Sequence, residues 1–246
     1  MMQWKDKYIL VAGASGVLGQ AIVEAFLQEE ATVIALYFRH PDRLYSLLHA
    51  DKADERQLQI VQVDLTDAHA VHSFFEQLEQ TLPALDVLIN AAGGARPLRL
   101  EEVTLDEWNA CLQMNLTAPF LCAQSALPLL QQRGGNIINI ASVAGLTGGA
   151  FGPHYATVKA GVIGLTRNLA REIGSYGIRV NTIAPGPVAS PMTEALPPPL
   201  LEKIVAETAL HRILQPAEIA ETVIWLAGTT AMTGQTVVVD GGRYFL

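Results

Sequence analysis

Apolar residues recur along this chain in two rhythms. Short, nearly unbroken apolar runs of five to seven residues read as strands: Tyr8–Ala12, Thr32–Tyr37, Leu58–Val63, Asp86–Ala91, Gly135–Ala141, Arg179–Ile183 and Gln235–Val239. Between them apolar positions return every third or fourth residue. Leu18, Ala21, Ile22, Ala25 and Phe26 mark a helix over Val17–Glu29. The same spacing predicts a short helix after Pro41 and longer ones over Asp67–Thr81, Thr104–Gln131, Pro153–Tyr176 and Pro216–Ala227. Strands this rich in Val, Ile and Leu are covered on both faces, the pattern of a parallel sheet between two layers of helices. The expected fold is therefore α/β, a doubly wound seven-stranded parallel sheet. One segment breaks the rhythm. From Pro185 to Leu200 the chain is rich in proline and ends in Pro197-Pro198-Pro199. So long an interruption before the last helix predicts a lid over residues 185–215.

Composition narrows the picture. The 246 residues suit one domain, 1–246, and no apolar run approaches the ~20 residues of a membrane span. The start, Met1-Met2-Gln3-Trp4-Lys5-Asp6-Lys7, has no apolar stretch or small-residue cleavage site, so a cytoplasmic location is expected. The net charge of −8 is spread along the chain, with no basic stripe to meet phosphates, which argues against nucleic acid and anionic membranes as partners. Cys111 and Cys122 lie in helical sequence without metal-ligand spacing; they read as buried thiols, and no metal site is expected.

The first strand runs into Gly13-Ala14-Ser15-Gly16-Val17-Leu18-Gly19 and then a helix. Glycines let the backbone turn sharply and approach a pyrophosphate, and the helix start offers free N–H groups and its positive dipole end. In this position the pattern predicts a dinucleotide site of Rossmann type. The second strand ends Leu36-Tyr37-Phe38-Arg39, without the Asp or Glu that takes a ribose 2′-hydroxyl. Arg39 can instead pair a 2′-phosphate, which favours NADP(H) over NAD(H).

Ser142 closes the fifth strand, Tyr155 follows thirteen residues later and Lys159 four after that. The last two share a helix face. An ammonium near a phenol favours the phenolate, so the Tyr155 pKa is expected to fall and the residue to serve as general acid or base. Ser142 can hydrogen-bond a carbonyl oxygen as it gains charge. Taken together in chain order, these features resemble the short-chain dehydrogenase/reductase family over essentially the whole chain. The resemblance implies further roles. Asp64 and Leu65 match the adenine-contacting pair, and Asn90-Ala91-Ala92-Gly93 the segment that supports the sheet and borders the cofactor. Asn115 matches the helix asparagine that, with Ser142, Tyr155 and Lys159, completes a catalytic tetrad through a water relay. Lys159 also meets the nicotinamide ribose, and Pro185, Gly186, Val188 and Ser190 match the segment clasping the nicotinamide. Two positions depart from the family pattern: Val17 stands where a middle glycine is usual, and Gly16 where NADP-preferring members often carry a basic residue.

Within the family, Leu169-Ala170-Arg171-Glu172 and Asp240-Gly241-Gly242 look closest to 3-oxoacyl-acyl-carrier-protein reductases. That resemblance implies reduction of the ketone of a 3-oxoacyl thioester, or of a similar ketone, to a secondary alcohol, and the apolar Phe151, Met192, Leu196 and Leu200 favour an uncharged or acyl-bearing ketone. Docking of an acidic acyl carrier protein would need basic residues at the entrance, for which Arg133, Arg167 and Arg171 are candidates. A dehydrogenase oxidising a secondary alcohol or polyol uses the same tetrad and is the alternative reading; a non-catalytic cofactor sensor is the minor one. His154 is expected to be structural or part of the substrate wall, and Trp108 and Trp225 to pack in the core or between helices. The family's habit implies a homodimer or homotetramer built on the two long helices, with Tyr244-Phe245-Leu246 at an interface.

Overall fold

A computed structural model of the chain describes residues 4–49 and 56–245. The residues Met1–Gln3 and Leu246 named above lie outside the described residues. The strands are β1 (Tyr8–Ala12), β2 (Thr32–Tyr37), β3 (Leu58–Gln62), β4 (Val87–Asn90), β5 (Asn136–Ile140), β6 (Arg179–Pro185) and β7 (Thr236–Val239). They form one seven-stranded sheet in the order β3-β2-β1-β4-β5-β6-β7, every neighbouring pair parallel. The helices are α1 (Val17–Gln28), α2 (Asp42–His49), α3 (Ala68–Glu79), α4 (Leu105–Leu112), α5 (Ala118–Gln131), α6 (Ala144–Thr147), α7 (Pro153–Ile173), α8 (Pro191–Glu194), α9 (Pro198–Ala206) and α10 (Pro216–Gly228).

Strand alternation divides the core in two. Ile9 and Val11 of β1 face Ile22, Phe26, Ile219 and Val223 of α1 and α10. Leu10 and Ala12 face the opposite layer, with Phe75 of α3 and Cys122 and Leu130 of α5. Each strand is thus apolar on both faces because each face has its own helix layer. Cys111 and Cys122 are buried free thiols, as expected.

Three elements differ from their predicted form. The helix expected over Thr104–Gln131 is interrupted by a π turn, Gln113–Thr117, between α4 and α5. The helix expected to reach Tyr176 ends at Ile173 and passes into a 3-10 turn, Gly174–Tyr176. The proposed lid contains two helices, α8 and α9; Ser190 caps the first, its hydroxyl accepting the Thr193 N–H at 3.3 Å. Trp225, expected to pack inside, is 54% exposed on the outer face of α10, where an amphipathic helix puts the side chains it does not bury. No helix among the described residues is long and apolar enough to cross a membrane.

In the sheet order β1 separates β2 from β4, so the connections leave in opposite directions there. The carboxyl ends of β1 and β4 consequently open a crevice, the place where doubly wound sheets take ligands.

Candidate active site

Two depressions meet at this crevice, sharing Ala91 and Gly93. The first is an open groove of ≈ 890 Å³ lined by Gly13, Ser15, Gly16, Tyr37, Arg39, Asp64, Leu65, Ala91, Ala92 and Gly93. Its floor depends on two glycines. Gly13 has φ +82°, and a Cβ on it would stand 2.5 Å from the Ala92 backbone; a Cβ on Gly19 would stand 2.2 Å from the Gly13 carbonyl oxygen. Glycine at both positions lets α1 start directly against the β1 turn and the loop after β4. Gly16 caps α1 without a side-chain hydrogen bond, and the first turn carries no acidic residue. The first-turn N–H groups are therefore available, together with the positive end of the helix dipole, to a pyrophosphate. Leu18, Gly19, His40 and Arg43 line the adjoining hollow beside Ser15 and Gly16. The Ser15 hydroxyl donates to the Arg39 carbonyl at 3.0 Å, which ties the phosphate turn to the end of β2. Thr66 donates both its N–H and its hydroxyl to one Asp64 oxygen, at 2.9 and 2.6 Å, which sets that carboxylate at the groove wall. These residues fit a dinucleotide, with Arg39 at the end of β2 and both Asp42 and Arg43 in the adjoining hollow.

The second depression is a deeper cleft of ≈ 150 Å³. Ser142, Tyr155 and Lys159 line it, as do Leu18, Pro185, Gly186, Val188 and Ser190 and three of the four residues expected in the apolar wall, Phe151, Met192 and Leu196; Leu200 does not line it. Three elements converge to build it: β5 ends just before Ser142, the first two turns of α7 carry Tyr155 and Lys159, and α8 carries Met192. The Phe151 and Tyr155 rings pack edge to face, centroids 5.5 Å apart. The Ser142 hydroxyl meets the Tyr155 phenol and also accepts the Ala144 N–H at 3.1 Å.

The electrostatics correct one expectation. Burial raises the Tyr155 pKa to about 12, although the hydrogen bond from Ser142 pulls the other way. Burial also lowers Lys159 to about 8. The ammonium does not offset the desolvation of the phenol. Its Nζ stands 5.5 Å over the ring centroid and donates to the Ile140 carbonyl at 2.9 Å. In an apolar cleft each group favours its neutral form, and the phenol keeps its proton at neutral pH.

Asn115 lies in the π turn, fully buried. The Ala118 N–H reaches five residues back to Gln113, and the wide turn frees the Cys111 carbonyl, which accepts from Asn115 Nδ2 at 3.0 Å. The same side chain brackets Gly94: its Oδ1 accepts the Gly94 N–H and its Nδ2 donates to the Gly94 carbonyl, both at 3.0 Å. A Cβ on Gly93 would stand 2.6 Å from Asn115 Oδ1 and 3.2 Å from Lys159 Nζ, so the asparagine and the lysine converge on one point behind the groove.

Other expected residues lie elsewhere. Asn90 lines neither depression; it is buried beneath them and donates to Asn139 Oδ1 at 2.8 Å. Its place is in the sheet, because a β4 side chain pointing into the helix layer cannot also face the crevice. His154 is buried and does not line the cleft. Arg133, Arg167 and Arg171 are not at the entrance. Arg133 lies 3.8 Å from Asp86, which precedes β4 at the amino-terminal ends of the strands, opposite the crevice. Arg167 and Arg171 border Thr233–Thr236 before β7, and Arg167 is 12 residues, about 18 Å of helix, beyond Tyr155. Three contributors escaped the sequence reading. Arg43 has no motif to betray it, and Arg243 and Tyr244 line the cleft from the far end of the chain.

Comparison with known proteins agrees with this geometry. Residues 11–243 match the family described as enoyl-(acyl carrier protein) reductase. The chain is 38% identical over 241 residues to the 3-oxoacyl-acyl-carrier-protein reductase of Staphylococcus aureus strain Mu50, covering 97% of this chain and 98% of that protein. It is 34% identical over 244 residues to the enzyme of the same name from Thermotoga maritima, covering 98% and 99%. With that from Vibrio harveyi it is 34% identical over 248 residues, covering 100% of both. A crevice at the β1/β4 switch point, a glycine turn opening α1 and full-length relatives of this kind lead to one assignment: the chain belongs to the short-chain dehydrogenase/reductase family, NAD(P)-dependent oxidoreductases acting on keto and CH–OH groups.

Proposed function

We propose that the protein is an NADPH-dependent reductase that converts the ketone of a 3-oxoacyl thioester, or of a compound of similar shape, to a secondary alcohol. The observation that carries this reading is the pair of hydroxyls, Ser142 and Tyr155, meeting in an apolar cleft that joins the dinucleotide groove at Ala91 and Gly93. The bound cofactor supplies a hydride; the chain supplies everything else. Ser142 and Tyr155 donate hydrogen bonds to the carbonyl oxygen, which polarises it and stabilises the charge it gains. Tyr155 then gives up its proton to that oxygen. Lys159 restores the proton through solvent water held at Asn115, and would hold the nicotinamide ribose. Phe151, Met192 and Leu196 exclude water and seat the acyl chain.

A phenol held at about 12 is protonated in the resting site, the state a proton donor needs. The relatives' printed names supply the substrate class. An enoyl substrate, named in the family description, would place a carbon–carbon double bond where these two hydroxyls meet. Two donors converging on one point suit an oxygen better. Arg39, with Arg43 nearby, favours the 2′-phosphate. On the same reading the enzyme is cytoplasmic and a homodimer or homotetramer joined through α5 and α7.

The test is absorbance at 340 nm with NADPH and NADH in parallel, on acetoacetyl thioesters and matched ketones. The expected result is faster oxidation of NADPH with the thioester, and a loss in Arg39→Ala of NADPH-dependent kcat/KM by about 10-fold or more with little change for NADH. Activity confined to enoyl thioesters, or equal losses with both cofactors, overturns the corresponding part of the reading.

A further inference from the structure

The last strand is followed by Asp240-Gly241-Gly242-Arg243-Tyr244, and this short tail is held with unusual firmness. Gly241 and Gly242 both take left-handed backbone, φ +69° and +79°. The buried Asp240 carboxylate accepts the N–H groups of Gly242 and Tyr244, each at 2.9 Å. The Gly241 and Gly242 carbonyls accept the N–H groups of Leu210 and Ala209 at 3.0 and 3.3 Å. The double glycine turns the chain back on itself, and the clamp fixes Arg243 in the wall of the cleft that holds Ser142 and Tyr155.

Arg243 is an unusual residue for such a wall. Its side chain is only 16% exposed, and its acidic partner, Glu207, sits 3.3 Å away at the end of α9 with 45% exposure. Lys203 stands 3.7 Å from the same carboxylate. The guanidinium lies 5.2 Å over the Tyr244 ring. Its Nε is enclosed, with no hydrogen-bond partner among the described residues. Glu207 takes a donor of Nη2, which leaves the fork with donors to spare in a cleft walled by Phe151, Met192 and Leu196; a guanidinium placed there points to an acceptor that arrives with the ligand. The other cleft walls, Phe151, Met192 and Leu196, can seat an acyl chain but cannot fix its direction.

We propose that Arg243 is a specificity-determining residue. It donates to a second acceptor oxygen of the substrate, a carboxylate or a thioester carbonyl beyond the ketone being reduced. This rests on the carbonyl-reductase reading above. Ser142 and Tyr155 engage one oxygen and Arg243 the other; two polar points on a short rigid substrate determine which face of the ketone meets the groove. A monoketone makes only the first contact. Because Glu207 belongs to the predicted lid and Arg243 to the tail, the second contact also bears on the ion pair that joins them.

The test is steady-state kinetics of Arg243→Met, whose side chain keeps the wall filled. Three substrates of equal chain length are compared with NADPH: a 3-oxo acid, its thioester and the monoketone. The expected result is a loss of kcat/KM of about 10- to 100-fold where a second oxygen is present and less than about 2-fold for the monoketone. Loss on the oxo acid alone assigns a carboxylate as the partner, and loss on both assigns either oxygen. Equal losses on all three, or none, overturn the proposal while leaving the reductase reading intact. Should none of the three be reduced, calorimetric titration with acetoacetate decides independently: weaker binding to Arg243→Met than to the unaltered protein supports the proposal, and equal or undetectable binding to both sinks it.

Discussion

At the scale of single residues the site turns on what burial does to Tyr155 and Lys159. The phenol is held at about 12 and the ammonium at about 8, both by loss of water. In the unliganded protein Tyr155 should therefore stay protonated well past the usual range near 10. Ultraviolet titration of tyrosinate should reveal the difference. Tyr155→Phe should remove a step close to pH 12 and leave the lower steps unchanged; loss of a step below pH 10 would contradict the burial argument. The same variant should lower ketone reduction by a factor on the order of 10² to 10⁴, while NADPH still quenches protein fluorescence on binding. Retained turnover would remove Tyr155 from the role of proton donor.

At the scale of elements, α7 has to be held in register against β5 so that Tyr155 and Lys159 meet Ser142. A buried polar chain does this. Asn90 Nδ2 donates to Asn139 Oδ1, Asn139 Nδ2 donates to Thr166 Oγ1, both at 2.8 Å, and the Thr166 and Thr182 hydroxyls share a hydrogen bond. It links β4, β5, α7 and β6 just beneath the crevice. Nothing in the apolar periodicity announces it, because each member reads as a lone polar residue within an apolar run. Asn139→Leu strips a partner from Asn90 and from Thr166 at once. Denaturant unfolding should show a loss of about 1–3 kcal/mol, since a buried amide left unpaired forfeits its hydration without compensation. A neutral result would show that the sheet alone positions α7.

For the whole molecule, the buried lysine makes stability depend on pH in a definite direction. In the folded chain Lys159 loses its proton at about 8, whereas unfolded it would hold that proton to its ordinary value of 10.5. Between these values the unfolded chain binds more protons, so this group's contribution to stability rises with pH across that window. Below pH 8 the penalty for the buried charge is fully present. Tyr155 acts oppositely higher up: folded, it keeps a proton that the unfolded chain loses from pH 10 to about 12, so its contribution falls there. Lys159→Met should thus raise the urea midpoint of the unliganded protein at pH 7, by an amount of order a few kcal/mol in stability, with the gain shrinking as pH climbs past 8 and vanishing above about 10.5. A midpoint shift that does not vary with pH would mean that packing, not charge, sets the cost.

Most of the architecture was legible in the sequence because its causes are local. A strand covered on both faces must be apolar throughout, and the seven runs read that way, including Tyr8–Ala12 and Thr32–Tyr37, match the observed strands to within a residue or two. The glycine turn and the four-residue step from Tyr155 to Lys159 were equally plain, since backbone geometry and helix periodicity dictate them. What escaped depends on atoms brought together from distant segments. Arg167 and Arg171 share a helix with Tyr155, yet the length of α7 carries them away from the site. Asn90 belongs to a matching motif but spends its side chain on Asn139. Trp225 is exposed because α10 packs on α1 with another face. The shift of Tyr155 is upward because packing strips most of the water from its phenol, a quantity that no spacing encodes. Arg243 reaches the cleft, 88 positions along the chain from Tyr155, only because two left-handed glycines fold the tail back. Periodicity and turn chemistry are properties of neighbouring residues and can be read along the chain. Burial, pairing and the direction of a pKa shift are properties of the packed whole, and only the tertiary structure decides them.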